Sequence, residues 1–80
     1  MAQREPIKVI ERTYSVLFRR DSETRGYIAT CRAVRGFVAY GRTLDEARSA
    51  AKEALEGCIA ALRDRGLPIP RGDASPPRRT

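Results

Sequence analysis

Apolar residues recur at two different periods along this chain, and the period changes near residue 43. Beyond it, Leu44, Ala47, Ala51, Ala54, Leu55, Cys58, Ala61 and Leu62 fall on one face at 3.6-residue spacing, while Asp45, Glu46, Ser49, Lys52, Glu53, Glu56, Arg63 and Asp64 fall on the other. This predicts an amphipathic helix over residues 44–65. Thr43 is a good N-cap, and Glu46 three residues later completes a capping-box pattern. Gly66 suits the C′ position, and Pro68 blocks continuation. The many alanines imply that the helix lies close to whatever it covers. Gly57 is a weak point inside it, costing about 1 kcal/mol relative to alanine.

Ahead of residue 43 the pattern is that of strands. Residues 13–19 (TYSVLFR), 27–32 (YIATCR) and 37–41 (FVAYG) are rich in aromatic and β-branched side chains. A polar loop at residues 20–26 and a break at Gly36 separate them, and such short links favour antiparallel neighbours. Residues 7–10 (IKVI) either extend the first strand or pair separately. The expected fold is α+β: a three-stranded antiparallel β-meander with one amphipathic helix packed on one face, in the order β-β-β-α. Residues 1–6 read as a flexible head and 7–70 as the domain. Residues 71–80 (RGDASPPRRT) read as a disordered tail, having no apolar side chain larger than alanine.

Alternation places Tyr14, Val16 and Phe18 on one side of the first strand and Leu17 on the other. Ile28 and Thr30 share a side of the second strand, and Val38 and Tyr40 share a side of the third. Neither side is wholly polar, and the pattern alone leaves open which one meets the helix. A helix is about 10–12 Å wide, and three strands at about 4.8 Å spacing are similar, so one helix covers one side only. The other, with Leu17, Ile28, Thr30, Val38 and Tyr40, is then a self-association or partner face. Unpaired strand edges add to this. A homo-oligomer, dimer or tetramer, is the expectation, since so short a chain buries little core by itself. The competing reading is scattered surface apolar residues, which are common.

Composition narrows the chemistry. The chain has 80 residues, no His and two Cys, so a zinc site is nearly excluded and neither a metal nor a cofactor is expected. Cys31 and Cys58 each sit on an apolar stripe, where a free cysteine acts as a small hydrophobe; the lack of a cysteine framework suggests a reducing compartment. No apolar run reaches the roughly 20 residues that span a bilayer, and residues 1–6 lack a signal-peptide core, so no membrane partner and a cytoplasmic location are expected. The net charge of +6 divides as +1 over residues 1–13, +3 over 14–70 and +2 over 71–80. It is spread out rather than concentrated in a binding stripe. Arg19, Arg20 and Arg25 crowd one hairpin, and Arg32, Arg35 and Arg42 fall near the other sheet end. These six are the candidate nucleic-acid contacts, a reading not favoured because no recognised nucleic-acid motif accompanies them.

The order and punctuation of residues 14–70 resemble the HicB-like family of antitoxin domains. The resemblance runs through the aromatic strand Tyr14 to Phe18, the acidic hairpin with Asp21 and Glu23, and the pair Gly26-Tyr27. It continues with Gly36, with Gly41, Thr43, Leu44, Glu46 and Ala47 at the helix start, and with the ending Gly66-Leu67-Pro68-Ile69-Pro70. Where the family often has Pro-Asp-Leu-Pro-Gly-Cys, this chain has Arg32-Ala33-Val34-Arg35-Gly36-Phe37, losing an acid and gaining two arginines. The resemblance covers the partner-binding domain only, and the C-terminal DNA-binding segment common in full antitoxins is not expected in this chain. The resemblance implies a bacterial, non-enzymatic, partner-binding domain of a toxin–antitoxin system that masks a small RNA-cleaving toxin of the HicA kind. Such toxins are often basic, so a +6 partner is an electrostatic surprise. The alternative is an Arg-rich RNA-binding module without catalysis. The family's fold is often compared with ribonuclease H, whose carboxylates hold two metal ions. Here no acid falls on the central part of a predicted strand, and no enzyme is expected.

Overall fold

The computed structural model describes residues 2–9 and 12–74. Four strands precede one helix: β1 (Ala2–Val9), β2 (Arg12–Arg20), β3 (Tyr27–Cys31), β4 (Val38–Gly41) and α1 (Leu44–Asp64). The strands make one antiparallel sheet in the order β1-β2-β3-β4. The α+β class and the lone helix on an antiparallel sheet are as the sequence predicts. The meander of three strands is corrected to four.

The added strand is β1, which pairs along β2 from Ala2↔Arg19 to Val9↔Arg12. Residues 7–9 therefore pair separately rather than extending β2, while Ile10 lies outside the described residues. Val9 is fully buried and Ile7, opposite Tyr14, packs against the core. Residues 2–6, read from sequence as a loose head, are paired too. They carry no apolar alternation, so what holds them is backbone hydrogen bonding to the long edge of β2, which side-chain pattern does not signal.

One side of the sheet carries the core. Tyr14, Val16 and Phe18 from β2 and Ala29 and Cys31 from β3 are buried against Ala47, Ala51, Leu55 and Ile59 of α1. The inward helix stripe thus advances in steps of four. Ile59, which the sequence stripe omitted, is 1% exposed, whereas Ala61, which that stripe included, faces outward. Steps of four drift by about 40° each on a 3.6-residue helix, so the stripe follows the helix as it crosses the twisted sheet.

The helix ends are chemically satisfied. Thr43 Oγ1 accepts from the Glu46 N–H at 3.1 Å, and Glu46 Oε1 accepts from the Arg42 N–H at 3.1 Å, one residue earlier than in the standard reciprocal box. At the other end Gly66 has φ +67°, its N–H donates to Arg63 O, and the Leu67 N–H donates to Leu62 O. Pro68 and Pro70 then send the chain back toward the sheet. Tyr14 Oη donates to Pro70 O at 2.6 Å. The Ala74 N–H donates to Thr13 O at 3.2 Å, and the Ser15 N–H donates to Asp73 Oδ1 at 2.7 Å. Residues 71–74, expected to be disordered, thus lie along β2. The reason is topological: β3 begins its pairing with β2 at Val16↔Cys31, which leaves the backbone of residues 12–15 without a strand neighbour on that side. Residues 75–80 of the expected tail lie outside the described residues.

Candidate functional site

With Tyr14, Val16 and Phe18 turned to the helix, parity sends Leu17 to the opposite side. Register does the rest: Leu17 pairs with Thr30, Thr30 with Val38, and Ile28 with Tyr40. All five residues expected to form a partner face therefore share the side the helix does not cover. Leu17, Ile28 and Thr30 are half-buried by one another, while Val38 is 62% and Tyr40 46% exposed, among the few large apolar side chains that are. The smallest principal extent of the molecule, 17 Å, has room for a sheet and one helix layer but no third.

The Gly26-Tyr27 pair has a use on each side of the sheet. Tyr40 lies across Gly26 so closely that a Cβ there would stand 2.3 Å from the Tyr40 hydroxyl oxygen. Glycine is what allows the ring to lie flat along the open face. Tyr27 points the other way, half-buried against the core and paired with Gly41. Gly36 occupies the turn before β4 with φ +77°, a conformation suited to glycine. The turn tucks Val34 and Phe37 inward, and β4 begins at Val38, one residue later than the sequence pattern suggests.

The six arginines do not form one surface. Arg20 pairs with Tyr27 and Tyr27 with Gly41, so Arg42 lies at the same end of the sheet as Arg19, Arg20 and Arg25. This corrects its expected place beside Arg32 and Arg35, which lie at the other end in the β3–β4 connection. An antiparallel strand returns the chain to where its neighbour began, and the end of β4 goes with it. A hollow of about 270 Å³ lined by Arg19, Arg20, Asp21, Ser22, Ile28 and Thr30 joins this basic end to the open face. Asp21, the one acid in that lining, is engaged in the turn: Thr24 Oγ1 donates to it at 2.7 Å and the Glu23 N–H at 3.2 Å. These bonds, the Thr24 hydroxyl first, hold its carboxyl below the usual range.

Sequence reasoning missed one polar constellation. Arg48 donates from both Nε and Nη2 to the two oxygens of Glu5 at 2.7 Å, and from Nη1 to Asp45 Oδ1 at 2.7 Å. It ties β1 to the helix, and no local signal marks it because Glu5 lies in a segment without alternation. The Arg48 guanidinium, with help from Gln3, holds the Glu5 carboxyl below its ordinary value of 4.5. A lowered folded-state value means that this pairing stabilises the fold fully above about pH 4.5. The contribution is lost as pH falls through the folded value. Glu5→Gln is therefore expected to lower the melting temperature at pH 7 and to cost less at pH 2.5, because the pairing weakens as Glu5 takes up its proton. Equal melting losses at the two pH values would show that the ion pair contributes nothing. Added salt should shrink the effect at pH 7, since both side chains remain partly exposed.

Among the described residues no group of three His, Cys, Asp or Glu could hold a metal ion. Cys31 and Cys58 are free; burial pushes the Cys31 thiol up, away from the reactive thiolate. Among the described residues no helix is long and apolar enough to cross a membrane.

Fold and site together define a small α+β domain whose sheet is covered on one side and bare on the other. The family model for HicB-like antitoxins of bacterial toxin–antitoxin systems matches residues 13–79, most of the chain, and the protein belongs to that family. The family gives it a toxin–antitoxin role in general terms and points to a non-catalytic one. No curated protein and no solved structure matches the chain.

Proposed function

We propose that this protein is a non-catalytic protein-binding module that acts as a homo-oligomer and neutralises a small RNA-cleaving toxin of the HicA kind. The observation that carries the reading is the bare sheet side, where Leu17, Ile28, Thr30, Val38 and Tyr40 form one continuous patch in a chain whose family is antitoxin. A second copy laid on this patch buries it and enlarges a core that is small for one domain. The charge distribution removes the objection that a +6 chain would repel a basic toxin. The helix carries Asp45, Glu46, Glu53, Glu56 and Asp64 against Arg48, Lys52 and Arg63, so its outer surface is net acidic while the cations concentrate in the strands and turns. The toxin docks on the helix side and the second copy on the sheet side.

Mass by light scattering tests the first half. The wild-type protein is expected at a multiple of 8.9 kDa. Val38→Lys is expected to return it to a monomer that still folds, because that side chain is mostly exposed, with a lower melting temperature because the partner's stabilisation is lost. A wild-type monomer at every concentration overturns the oligomer. The second half is tested by adding the protein to a short basic RNA-cleaving toxin of the HicA kind from the same cells; undiminished RNA cleavage overturns neutralisation.

A second reading, an Arg-rich RNA-binding module, is favoured by the convergence of Arg19, Arg20, Arg25 and Arg42 at one sheet end beside the exposed Tyr40. It requires an affinity for single-stranded RNA that falls steeply with salt; an affinity indifferent to ionic strength removes it.

A further inference from the structure

The C-terminal third of the helix has an apolar flank that the sheet never reaches. The sheet lies under Ala47, Ala51, Leu55 and Ile59; Cys58 packs at the margin of that core, while Leu62 is half-buried and Ala61 exposed beyond it. Among the described residues the chain does not fold back to fill the space. Tyr14 holds Pro70 by its carbonyl and Ile69 packs against the core, so Pro68 and Pro70 stand off as a facing wall. Ala33 and Val34 of the β3–β4 connection close one end. The result is a groove of about 430 Å³, within the range of small-molecule sites.

Its lining contains no acid, and its two charged residues are Arg65 at the helix C-cap and Arg35 in the β3–β4 connection. Neither makes an ion pair among the described residues. The helix C-terminus would ordinarily disfavour an anion nearby. Here the final turn is capped: Ala61, Leu62 and Arg63 carbonyls accept from the Arg65, Leu67 and Gly66 N–H groups respectively. The arginines therefore set the local sign. An apolar trough bordered by two guanidinium groups that make no ion pair among the described residues fits a ligand with a hydrocarbon body and one anionic head.

We propose that this groove binds a small amphipathic carboxylate, its chain lying between Ala61, Leu62 and the two prolines and its carboxylate meeting Arg35 and Arg65. The groove's lining includes none of the helix acids read as the toxin face and none of the bare sheet-side residues, so either proposal can fail without the other. Decanoate is the probe, below its micellar concentration, with titration calorimetry on the whole protein. Saturable binding with one site per chain is expected, tightening roughly threefold to fourfold for each methylene added from hexanoate to decanoate. The double variant Arg35→Ala/Arg65→Ala is expected to weaken binding at least tenfold, and decanol to bind at least tenfold more weakly than decanoate. Decanoate should also slow alkylation of Cys58, the half-buried cysteine in the groove, with the site of labelling read by peptide mass. Ala61→Trp, at an exposed position, should block binding while the melting temperature holds. Decanol binding as tightly as decanoate, affinity unchanged in the arginine variant, or uptake that never saturates would each overturn the proposal. So would Cys58 protected in the free protein at concentrations where it self-associates, because a second copy would then be the groove's occupant.

Discussion

Gly41→Ala is expected to lower the melting temperature by roughly 12–24 °C, corresponding to about 3 kcal/mol for a domain of this size. A Cβ at this position would stand 2.1 Å from the Ala47 backbone nitrogen and 2.6 Å from its Cα. These are helix backbone atoms in the first turn, so no side-chain rotation relieves the contact. Either β4 bends away from Tyr27, its partner in the sheet, or the helix lifts off the sheet and opens the layer built on Ala47 and Ala51. Gly57→Ala is the control. A Cβ there meets nothing within 4 Å, and alanine in an exposed helix interior should stabilise the fold by about 1 kcal/mol. The same substitution thus moves melting in opposite directions at two positions 16 residues apart in the sequence. A Gly41→Ala protein melting within about 2 °C of wild type would mean that the helix does not rest on the end of β4 as described.

Ile59→Ala should be the most damaging truncation on the helix that introduces no clash, costing about 2–5 kcal/mol. Ile59 is 1% exposed and lies at the far end of the inward stripe. Its removal leaves a cavity at the end of the stripe, and the cost is set by how far the surrounding side chains collapse into it. Total stability of small domains is about 5–15 kcal/mol, so this loss is a large fraction of it. Chemical denaturation gives the measurement: the midpoint should fall with the slope unchanged. A loss under about 1 kcal/mol would show that Ile59 is not part of the core, restoring the stripe through Ala61 that sequence periodicity suggests.

That pair of residues shows where periodicity stops being informative. Ile59 and Ala61 both lie near the edge of an apolar arc, on opposite flanks. Both flanks look inward when the helix is read alone, and only the direction in which it crosses a twisted sheet decides which is used. The unused flank became the wall of the carboxylate groove. The six arginines teach the same point. Arg42 follows Tyr40 in the chain and looks remote from Arg20, yet two successive antiparallel registers bring their ends together.

The sequence by itself determined the helix, its caps at Thr43 and Gly66, three of the four strands, and the split of their side chains into two faces. Each of these depends on interactions within a few residues, or on a repeat that any neighbour of the right polarity would satisfy. Tertiary structure alone decided that residues 2–6 join the sheet and that Glu5 meets Arg48. It also decided that residues 71–74 lie along β2 and that the Leu17 face, not the Tyr14 face, stays bare. These outcomes turn on backbone groups left unpaired by the lengths of neighbouring strands and on contacts between positions some 40 to 60 residues apart. A backbone N–H carries no trace in the sequence of which distant carbonyl it will find.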